Sequence, residues 1–181
     1  MGGKTSAKAE QRRSMRTILG RLERSFIESA SIEIRRQIPL RPGSRIALFA
    51  GTTTEPQLLD LIQQNPQIDW FLPKVTGSDT MDFLPVSSSD DLEKGFLGIL
   101  EPHSGTPATE LDLIICPGVA FTDKGGRLGQ GGGFYDRALA RFPSAERIGV
   151  TFSCQLVEQL PTRPHDIQMH RVITNPLGQP S

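Results

Sequence analysis

A glycine-rich segment in the second half of the chain has the residue types of a phosphate-binding site. Seven glycines lie in CPGVAFTDKGGRLGQGGGFYDRAL, residues 116–139, between an apolar run and a helical pattern. Glycines allow positive φ angles and let backbone N–H groups approach a ligand closely, and the start of a helix favours an anion. Arg127 adds a fork of donors that suits phosphate oxygens. These residues predict phosphate binding, although a flexible surface loop with a helix cap has the same composition.

A carboxylate follows the glycines. Asp136 lies about one turn into the predicted helix, and a carboxylate beside a phosphate site is often there for Mg²⁺. The alternative is structural, because acidic residues are favoured in the first turn of a helix. Two familiar nucleotide motifs do not fit. Phe134 stands where the dinucleotide fingerprint needs a glycine, and Gly3-Lys4-Thr5 lacks the strand and first glycine of a phosphate loop.

Three basic residues near the N-terminus recur at helical spacing. Lys8, Arg12 and Arg16 fall at positions i, i+4 and i+8, so they share one stripe of a predicted helix. A basic stripe is usually a solvated face, and the spacing alone favours that interpretation.

Composition narrows the function classes. The 181 residues suit one compact domain, which we expect to span residues 1–181. Lysine plus arginine number 20, as do aspartate plus glutamate, so the charge balance does not favour nucleic acid or a membrane surface as a partner. Cys116 and Cys154 form no metal spacing, and Cys116 after an apolar run indicates a core residue in a reducing cytoplasm. No apolar run is long enough for a membrane span, and Glu10 and Glu23 are unusual in a transit peptide.

Hydrophobic periodicity predicts an α/β fold. Helices are predicted over residues 6–29, 55–64 and 133–141, strands over 45–50, 68–72, 96–100, 111–116, 147–152 and 171–174, and loops or a short hairpin over 75–94. Strands that alternate with helices imply a Rossmann-like, three-layer α/β/α sandwich with a mostly parallel, mixed sheet. In such sheets ligands bind beyond the carboxyl ends of the strands, where the glycine-rich segment falls.

The same segment resembles a family signature. PGVAFTDKGGRLGQGGGFYDRAL is similar to the pattern P-G-x-A-F-D-x-x-G-x-R-L-G-x-G-x-G-x-Y-D-R of the 5-formyltetrahydrofolate cyclo-ligases, also called methenyltetrahydrofolate synthetases. Shorter matches follow the family order: Lys8-x-x-x-Arg12, Phe49 with Glu55, Pro73-Lys74, Met81-Asp82-Phe83, Gly98-Ile99-Leu100-Glu101-Pro102, and Pro161 with His165-Asp166. The resemblance covers about residues 8–174, which we expect to form the core of the domain.

The resemblance implies an activity. Members of the family convert 5-formyltetrahydrofolate and ATP into 5,10-methenyltetrahydrofolate, ADP and phosphate, with Mg²⁺. Phosphorylation of the formyl oxygen makes it a leaving group, and N10 of the folate then attacks the same carbon. The protein mainly has to position the γ-phosphate and neutralise its charge. The rival interpretation is a non-catalytic folate or nucleotide binder of the same fold, against which the joint presence of the phosphate and metal ligands argues.

The resemblance also assigns roles to individual residues. The expected ATP ligands are Lys8, Arg12, Arg127, Leu128, Gly129, Gly131, Gly132 and Gly133; the folate ligands are Phe49, Glu55, Met81 and Tyr135; the catalytic residues are Arg127 and Tyr135; and the metal ligands are Asp136 and Asp166. Each has a structural alternative: Glu55 starts a helix, Phe49 and Met81 are core residues, and Asp166 forms a turn. Arg16 keeps the solvated-face interpretation, and Phe121 is expected to be structural.

Several positions depart from the family pattern. They are Thr122 for an aspartate, with Asp123 beside it, Pro56-Gln57-Leu58 for Val-Asp-Thr, Gln130 and Phe134 for tyrosines, and His170 for an acidic residue. None removes an expected phosphate or metal ligand, so these departures concern substrate detail and rate. We expect a cytoplasmic enzyme, a monomer or weak homodimer, whose partners are ATP and 5-formyltetrahydrofolate and include no nucleic acid or membrane.

Overall fold

The computed structural model describes residues 6–161 and 166–176, to which all structural statements below refer. Gly3-Lys4-Thr5, His165 and the chain after Pro176 lie outside the described residues. Within the described ranges, no helix has both the length and the apolar character needed to cross a bilayer.

The N-terminal amphipathic pattern forms two helices, so the prediction of one helix over residues 6–29 is wrong. Helix α1 spans Ala7–Leu19, and helix α2 spans Arg24–Gln37. The chain leaves the first helix at Gly20, a residue type that costs about 1 kcal/mol relative to alanine inside a helix. Both helices bury their apolar sides in the same core, which explains why one apolar period continues across the break.

In the described part of the chain, ten short strands follow these two helices. They are β1 (Arg45–Ala47), β2 (Asp69–Val75), β3 (Met81–Val86), β4 (Leu92–Lys94), β5 (Leu100–Pro102), β6 (Leu113–Cys116), β7 (Ala120–Phe121), β8 (Arg127–Leu128), β9 (Glu146–Thr151) and β10 (Arg171–Thr174). Six of them form the central sheet in the order β10-β9-β6-β1-β2-β3. All neighbours in it are parallel except β2 and β3, which are antiparallel. The mostly parallel, mixed sheet predicted from the sequence is confirmed.

Helices cover both faces of this sheet. Helices α1 and α2, together with α3 (Asp60–Gln64), contribute to one apolar core, and α4 (Phe134–Ala140) contributes to the other. Residues of β6 alternate between the two cores, with Ile115 in the first and Ile114 in the second, as a strand of period two requires. The three-layer α/β/α architecture is therefore as predicted.

The predictions around the edge of the sheet need correction. Only Asp60–Gln64 of the predicted 55–64 helix is helical. The 75–94 region contains β3, which forms a hairpin with β2 as one of the two predicted alternatives allows, but β3 also belongs to the main sheet as an edge strand. The predicted strand at 96–100 is instead a 3₁₀ turn followed by β5, which pairs with β4. Its apolar residues predict a strand, but this segment lies at the surface, where Leu97 is 82% exposed.

Candidate active site

A β-hairpin connects the centre of the sheet to the glycines. After β6 the chain forms β7 and β8, which pair antiparallel. Thr122 closes the turn between them, because its hydroxyl accepts a hydrogen bond from Gly126 N at 2.9 Å. The Thr122 N–H also donates to Gly126 O at 2.9 Å. Threonine thus supplies the side-chain oxygen that the turn needs in place of the usual aspartate, and Asp123 is exposed to solvent.

Two glycines with positive φ shape the loop between β8 and α4. Gly131 has φ +115° and Gly133 has φ +70°, which agrees with the predicted need for glycine at both positions. A Cβ on Gly131 would lie 3.5 Å from the guanidinium carbon of Arg12, in ordinary van der Waals contact. Helix α4 has only seven residues, so its dipole is a weak attraction for an anion.

Arg127 is buried although it carries a charge. Its side chain is 4% exposed, and Nη2 lies 3.1 Å from Asp136 Oδ2. Nη1 donates to Pro117 O at 3.3 Å, and the guanidinium lies 5.4 Å from the centroid of the Tyr135 ring. Arg127 Nε is buried and has no hydrogen-bond partner. An unused donor on a buried charge is unfavourable unless a ligand supplies an acceptor, so Arg127 is well placed to bind an anion.

The basic residues of helix α1 lie next to the glycine loop. Lys8 Nζ lies 2.5 Å from Asp166 Oδ2, and both side chains are mostly buried. Arg12 Nε donates to Gly129 O at 2.8 Å, and the two residues are 117 positions apart in the chain. The hydrogen bond from Arg12 brings the cationic helix α1 and the glycine-rich loop together, although the two segments are far apart in the chain.

Arg16 also reaches this place. Its side chain is exposed, as the solvated-face interpretation expects, and it also lines the same cavity as Lys8 and Arg12. Arg16 Nη2 donates to Gln130 Oε1 at 2.8 Å. Helical spacing places the third member of the stripe beside the first two, so the departure at Gln130 provides its partner.

The Tyr135 hydroxyl is buried and has no hydrogen-bond partner. Its ring packs edge-on against Phe83, with centroids 6.5 Å apart. Burial raises the pKa of Tyr135 well above its ordinary value, and the Cys116 thiol acts in the same direction. The hydroxyl therefore stays protonated near neutral pH, where it can donate a hydrogen bond to a ligand.

Asp136 and Asp166 approach each other although they are far apart in sequence. Asp136 Oδ1 accepts a hydrogen bond from Ile167 N at 3.2 Å, and both aspartates line the cavity. Each also pairs with a cation, Arg127 or Lys8. The described residues contain no group of three or more His, Cys, Asp or Glu that could hold a metal. Two carboxylates nevertheless suit Mg²⁺, which keeps several waters and takes other oxygens from phosphates.

The predicted folate ligands reach the cavity from separate segments. Phe49 follows β1 and Met81 begins β3, and they are 3% and 5% exposed. Glu55 lies in a turn before α3, where its Oε2 accepts from Thr52 N at 3.0 Å. Gln57 braces that turn, because its Nε2 donates to Thr52 O and Glu55 O, both at 2.7 Å. The departure at Gln57 thus holds the segment that presents Glu55.

One cavity of about 1370 Å³ brings together every residue to which a role was assigned. These are Lys8, Arg12, Phe49, Glu55, Met81, Arg127, Leu128, Gly129, Gly131, Gly132, Gly133, Tyr135, Asp136 and Asp166. Pockets for one small ligand usually measure roughly 300–1,000 Å³, so this cavity is larger than one small ligand needs. The individual roles of these residues remain predictions.

Two further charged residues line the cavity without having been assigned a role. Arg137 Nε donates to Asp79 O and Nη2 donates to Gly132 O, each at 2.7 Å, so it ties the glycine loop to the β2–β3 hairpin. Glu101 is a buried carboxylate of β5. Both lie in stretches that match the family pattern, but spacing and residue type do not indicate which side chains face a cavity.

Other residues singled out above lie outside the cavity. His170 does not line it, and His170 Nδ1 accepts a hydrogen bond from Arg147 N at 2.9 Å. Phe121 is fully buried in the core next to α4, as expected of a structural residue. Burial raises the pKa of Cys116 to about 12, so this thiol stays protonated and acts as a core residue.

Sequence comparison identifies relatives over most of the chain. The 5-formyltetrahydrofolate cyclo-ligase family matches residues 4–175. A probable 5-formyltetrahydrofolate cyclo-ligase of Caenorhabditis elegans is 29% identical, over 92% of this chain and 91% of its own length. The 5-formyltetrahydrofolate cyclo-ligase of Escherichia coli is 40% identical over 51% of this chain, a stretch that spans 54% of that relative.

Structural comparison agrees with the sequence. The solution structure of the 5,10-methenyltetrahydrofolate synthetase of Aquifex aeolicus superposes with a TM-score of 0.82 and 28% identity. The superposition covers 97% of this chain and 95% of that one. With the family match, the shared fold and the signature residues gathered in one cavity, the chain belongs to the 5-formyltetrahydrofolate cyclo-ligase family of ligases.

Proposed function

We propose that the protein converts 5-formyltetrahydrofolate into 5,10-methenyltetrahydrofolate in a reaction that consumes ATP, requires Mg²⁺ and releases ADP and phosphate. Family membership and the names of the relatives support the overall activity. The dependence on ATP and Mg²⁺ is supported by the cations, glycines and carboxylates that share the cavity.

The chemistry explains why such a site is needed. A formamide oxygen is a weak nucleophile, and water is a poor leaving group from the formyl carbon. Transfer of the γ-phosphoryl group to that oxygen creates a good leaving group, and N10 can then attack the formyl carbon. The protein has to hold the two substrates in line and stabilise charge on the transferred group.

The phosphate side of the cavity supplies this stabilisation. We assign ATP-phosphate binding to Lys8, Arg12 and Arg127, with the N–H groups of residues 128–133. Arg127 contributes most in the transition state, because its side chain is buried and its own Nε donor is unused. Charge interactions are strongest where water is excluded.

The folate side orients the acceptor. Phe49 and Met81 provide an apolar wall for the pterin, and Glu55 accepts hydrogen bonds from its N–H groups. The protonated Tyr135 hydroxyl donates to the substrate, and its ring supports the Arg127 guanidinium. Together these contacts place the formyl oxygen near the γ-phosphate.

Magnesium fits the carboxylate end of the cavity. Asp136 and Asp166 are the residues that would hold it, directly or through water, together with phosphate oxygens. When bound, the ion neutralises phosphate charge. The pairs with Arg127 and Lys8 have to be exchanged or shared when Mg-ATP enters, since each cation is also proposed to bind phosphate.

The biological setting follows from the same proposal. We propose one folded domain over residues 1–181, acting in the cytoplasm as a monomer or weak homodimer. Its partners are ATP and the folate, and nucleic acid and membranes are not among them. The equal numbers of basic and acidic residues support the last point.

One observation carries the proposal: the basic stripe of α1 lies on the glycine loop. A basic stripe alone is usually a solvated face, and a glycine-rich loop alone is often only flexible. The bond from Arg12 to Gly129 joins them across 117 positions, and the result is a cradle for a polyanion.

The test is a spectrophotometric assay of the purified protein with 5-formyltetrahydrofolate and Mg-ATP. We expect the methenyl product to appear with one ADP for each product molecule, and to be absent when ATP or Mg²⁺ is withheld. Binding of both substrates without product would instead establish a non-catalytic binder.

A further inference from the structure

Ring closure in the proposed reaction releases one proton from the folate, and this proton needs an acceptor. The inference below rests on that proposed function. N10 of 5-formyltetrahydrofolate is a secondary amine that carries one hydrogen. In the methenyl product N10 is bonded to the former formyl carbon and carries none. The proton must therefore leave N10 as the ring closes, and a positioned side chain that accepts it accelerates such a step by about 10²–10⁴-fold.

Four carboxylates of the described residues line the cavity, and three already have strong partners. Asp136 and Asp166 form ion pairs with Arg127 and Lys8. Glu55 accepts a hydrogen bond from the backbone of its own turn at 3.0 Å.

The fourth carboxylate, Glu101, has few partners that could stabilise its charge. It is 6% exposed, and its Oε1 accepts from Val75 N at 3.4 Å, the long limit of a hydrogen bond. It takes part in no ion pair among the described residues, and Phe96 and Ile99 line the cavity beside it. A buried carboxylate with so few partners is unfavourable for folding, and such groups in a cleft are candidates for function.

Gly95 makes room for this carboxylate. A Cβ at position 95 would lie 2.1 Å from Glu101 Oε2 and 2.4 Å from its carboxyl carbon. The pairing of β4 with β5 places Glu101 opposite Glu93 and holds its backbone. The local structure therefore fixes a buried carboxylate at the wall of the cavity.

We propose that Glu101 accepts the N10 proton during ring closure. The N10 lone pair forms the bond to the carbon of the phosphorylated formyl group, and the N10 proton passes to the Glu101 carboxylate. The carbon–oxygen bond then breaks, its electron pair leaves with the phosphate, and the amidinium cation of the methenyl product remains. Water removes the proton from Glu101 when the product leaves.

Single-turnover kinetics of Glu101→Gln separate this role from others, because ADP reports phosphorylation and absorbance reports ring closure. We expect one equivalent of ADP at close to the wild-type rate, while methenyl formation slows by about 100-fold or more. The dissociation constant for 5-formyltetrahydrofolate, measured by calorimetry without ATP, should change little. Glu110→Gln is the matched control, since Glu110 is 87% exposed and lies outside the cavity; it should leave both rates unchanged.

Gly95→Ala provides a second variant that keeps the carboxylate but displaces it. We expect the same separation of ADP release from ring closure, with a smaller delay, so the proposal stays testable if Glu101→Gln folds poorly. Equal slowing of both steps, a loss confined to folate affinity, or wild-type kinetics in both variants would overturn the role of Glu101. A wild-type protein that forms no methenyl product would instead refute the proposed function itself.

Discussion

The two sides of the cavity are built in different ways. On the phosphate side, side chains bond to segments that are 117 and 158 positions away, as in Arg12 to Gly129 and Lys8 to Asp166. On the folate side, Glu55 is held by residues within its own turn. The phosphate side therefore depends on correct packing of α1 against the loop, whereas the folate side depends on a local turn and on strand ends.

The largest expected effect comes from the backbone of the phosphate side. Gly131→Val introduces a β-branched residue at φ +115°, a backbone conformation that costs a non-glycine residue about 1–3 kcal/mol, so the loop has to change shape beside Arg12. We expect no measurable ATP binding by calorimetry, with far-ultraviolet circular dichroism near wild type.

A matched control exists for this variant. Gly43 also has positive φ, at +77°, but no atom lies within 4 Å of its Cβ position and it lies outside the cavity. Gly43→Val should lose thermal stability and keep ATP binding. Full ATP binding by Gly131→Val would show that the loop is only flexible.

Arg127→Ala tests the charge on the same side. The variant removes a buried cation that we assign to the transferring phosphoryl group, so kcat should fall by roughly 10²–10³-fold and the KM for ATP should rise. Arg127→Lys keeps the charge and loses the fork of donors, and should recover part of kcat. Unchanged steady-state kinetics in Arg127→Ala would remove this residue from the site.

The carboxylate end of the phosphate side should show a smaller, metal-specific effect. Asp136→Asn and Asp166→Asn should each need about tenfold more Mg²⁺ for half-maximal activity and should turn over more slowly. Asp90→Asn, an exposed aspartate outside the cavity, should keep the wild-type magnesium curve. If both active-site variants also keep that curve, they are structural and the metal assignment is wrong.

The smallest effect is expected on the folate side. Glu55→Gln keeps the shape of the side chain but weakens a charged acceptor, so the KM for 5-formyltetrahydrofolate should rise about tenfold. The KM for ATP should stay constant, which separates the two sides of the cavity. A parallel rise in both constants would mean that Glu55 supports the whole cavity.

Local patterns predicted much of the fold. The apolar run of β6 and the helical pattern of α4 were recognisable because each depends on residues close in sequence. The break at Gly20 was missed because α1 and α2 share a core and keep one apolar period. The predicted strand at 96–100 failed because apolar residues that line a cavity resemble residues that fill a core.

The candidate site was predictable where a family signature existed and not beyond it. Arg127 and the glycines stand in one long pattern, and the structure brings them to one cavity. The position of Arg16 at the cavity was not predicted, because a basic side chain that faces a cavity has the same spacing as one that faces solvent. Glu101 lies in a stretch that matches the family pattern, but the sequence indicated no role for it. Its burial depends on the close approach of its carboxylate to Gly95, which the sequence does not reveal.

The central claim is that the cavity brings the formyl oxygen to the γ-phosphate of ATP. The most direct measurement follows that oxygen, using 5-formyltetrahydrofolate labelled with ¹⁸O in the formyl group and mass spectrometry of the released phosphate. The account predicts that one labelled oxygen appears in the inorganic phosphate for each methenyl product formed. Methenyl product accompanied by unlabelled phosphate, with the label in water, would contradict it.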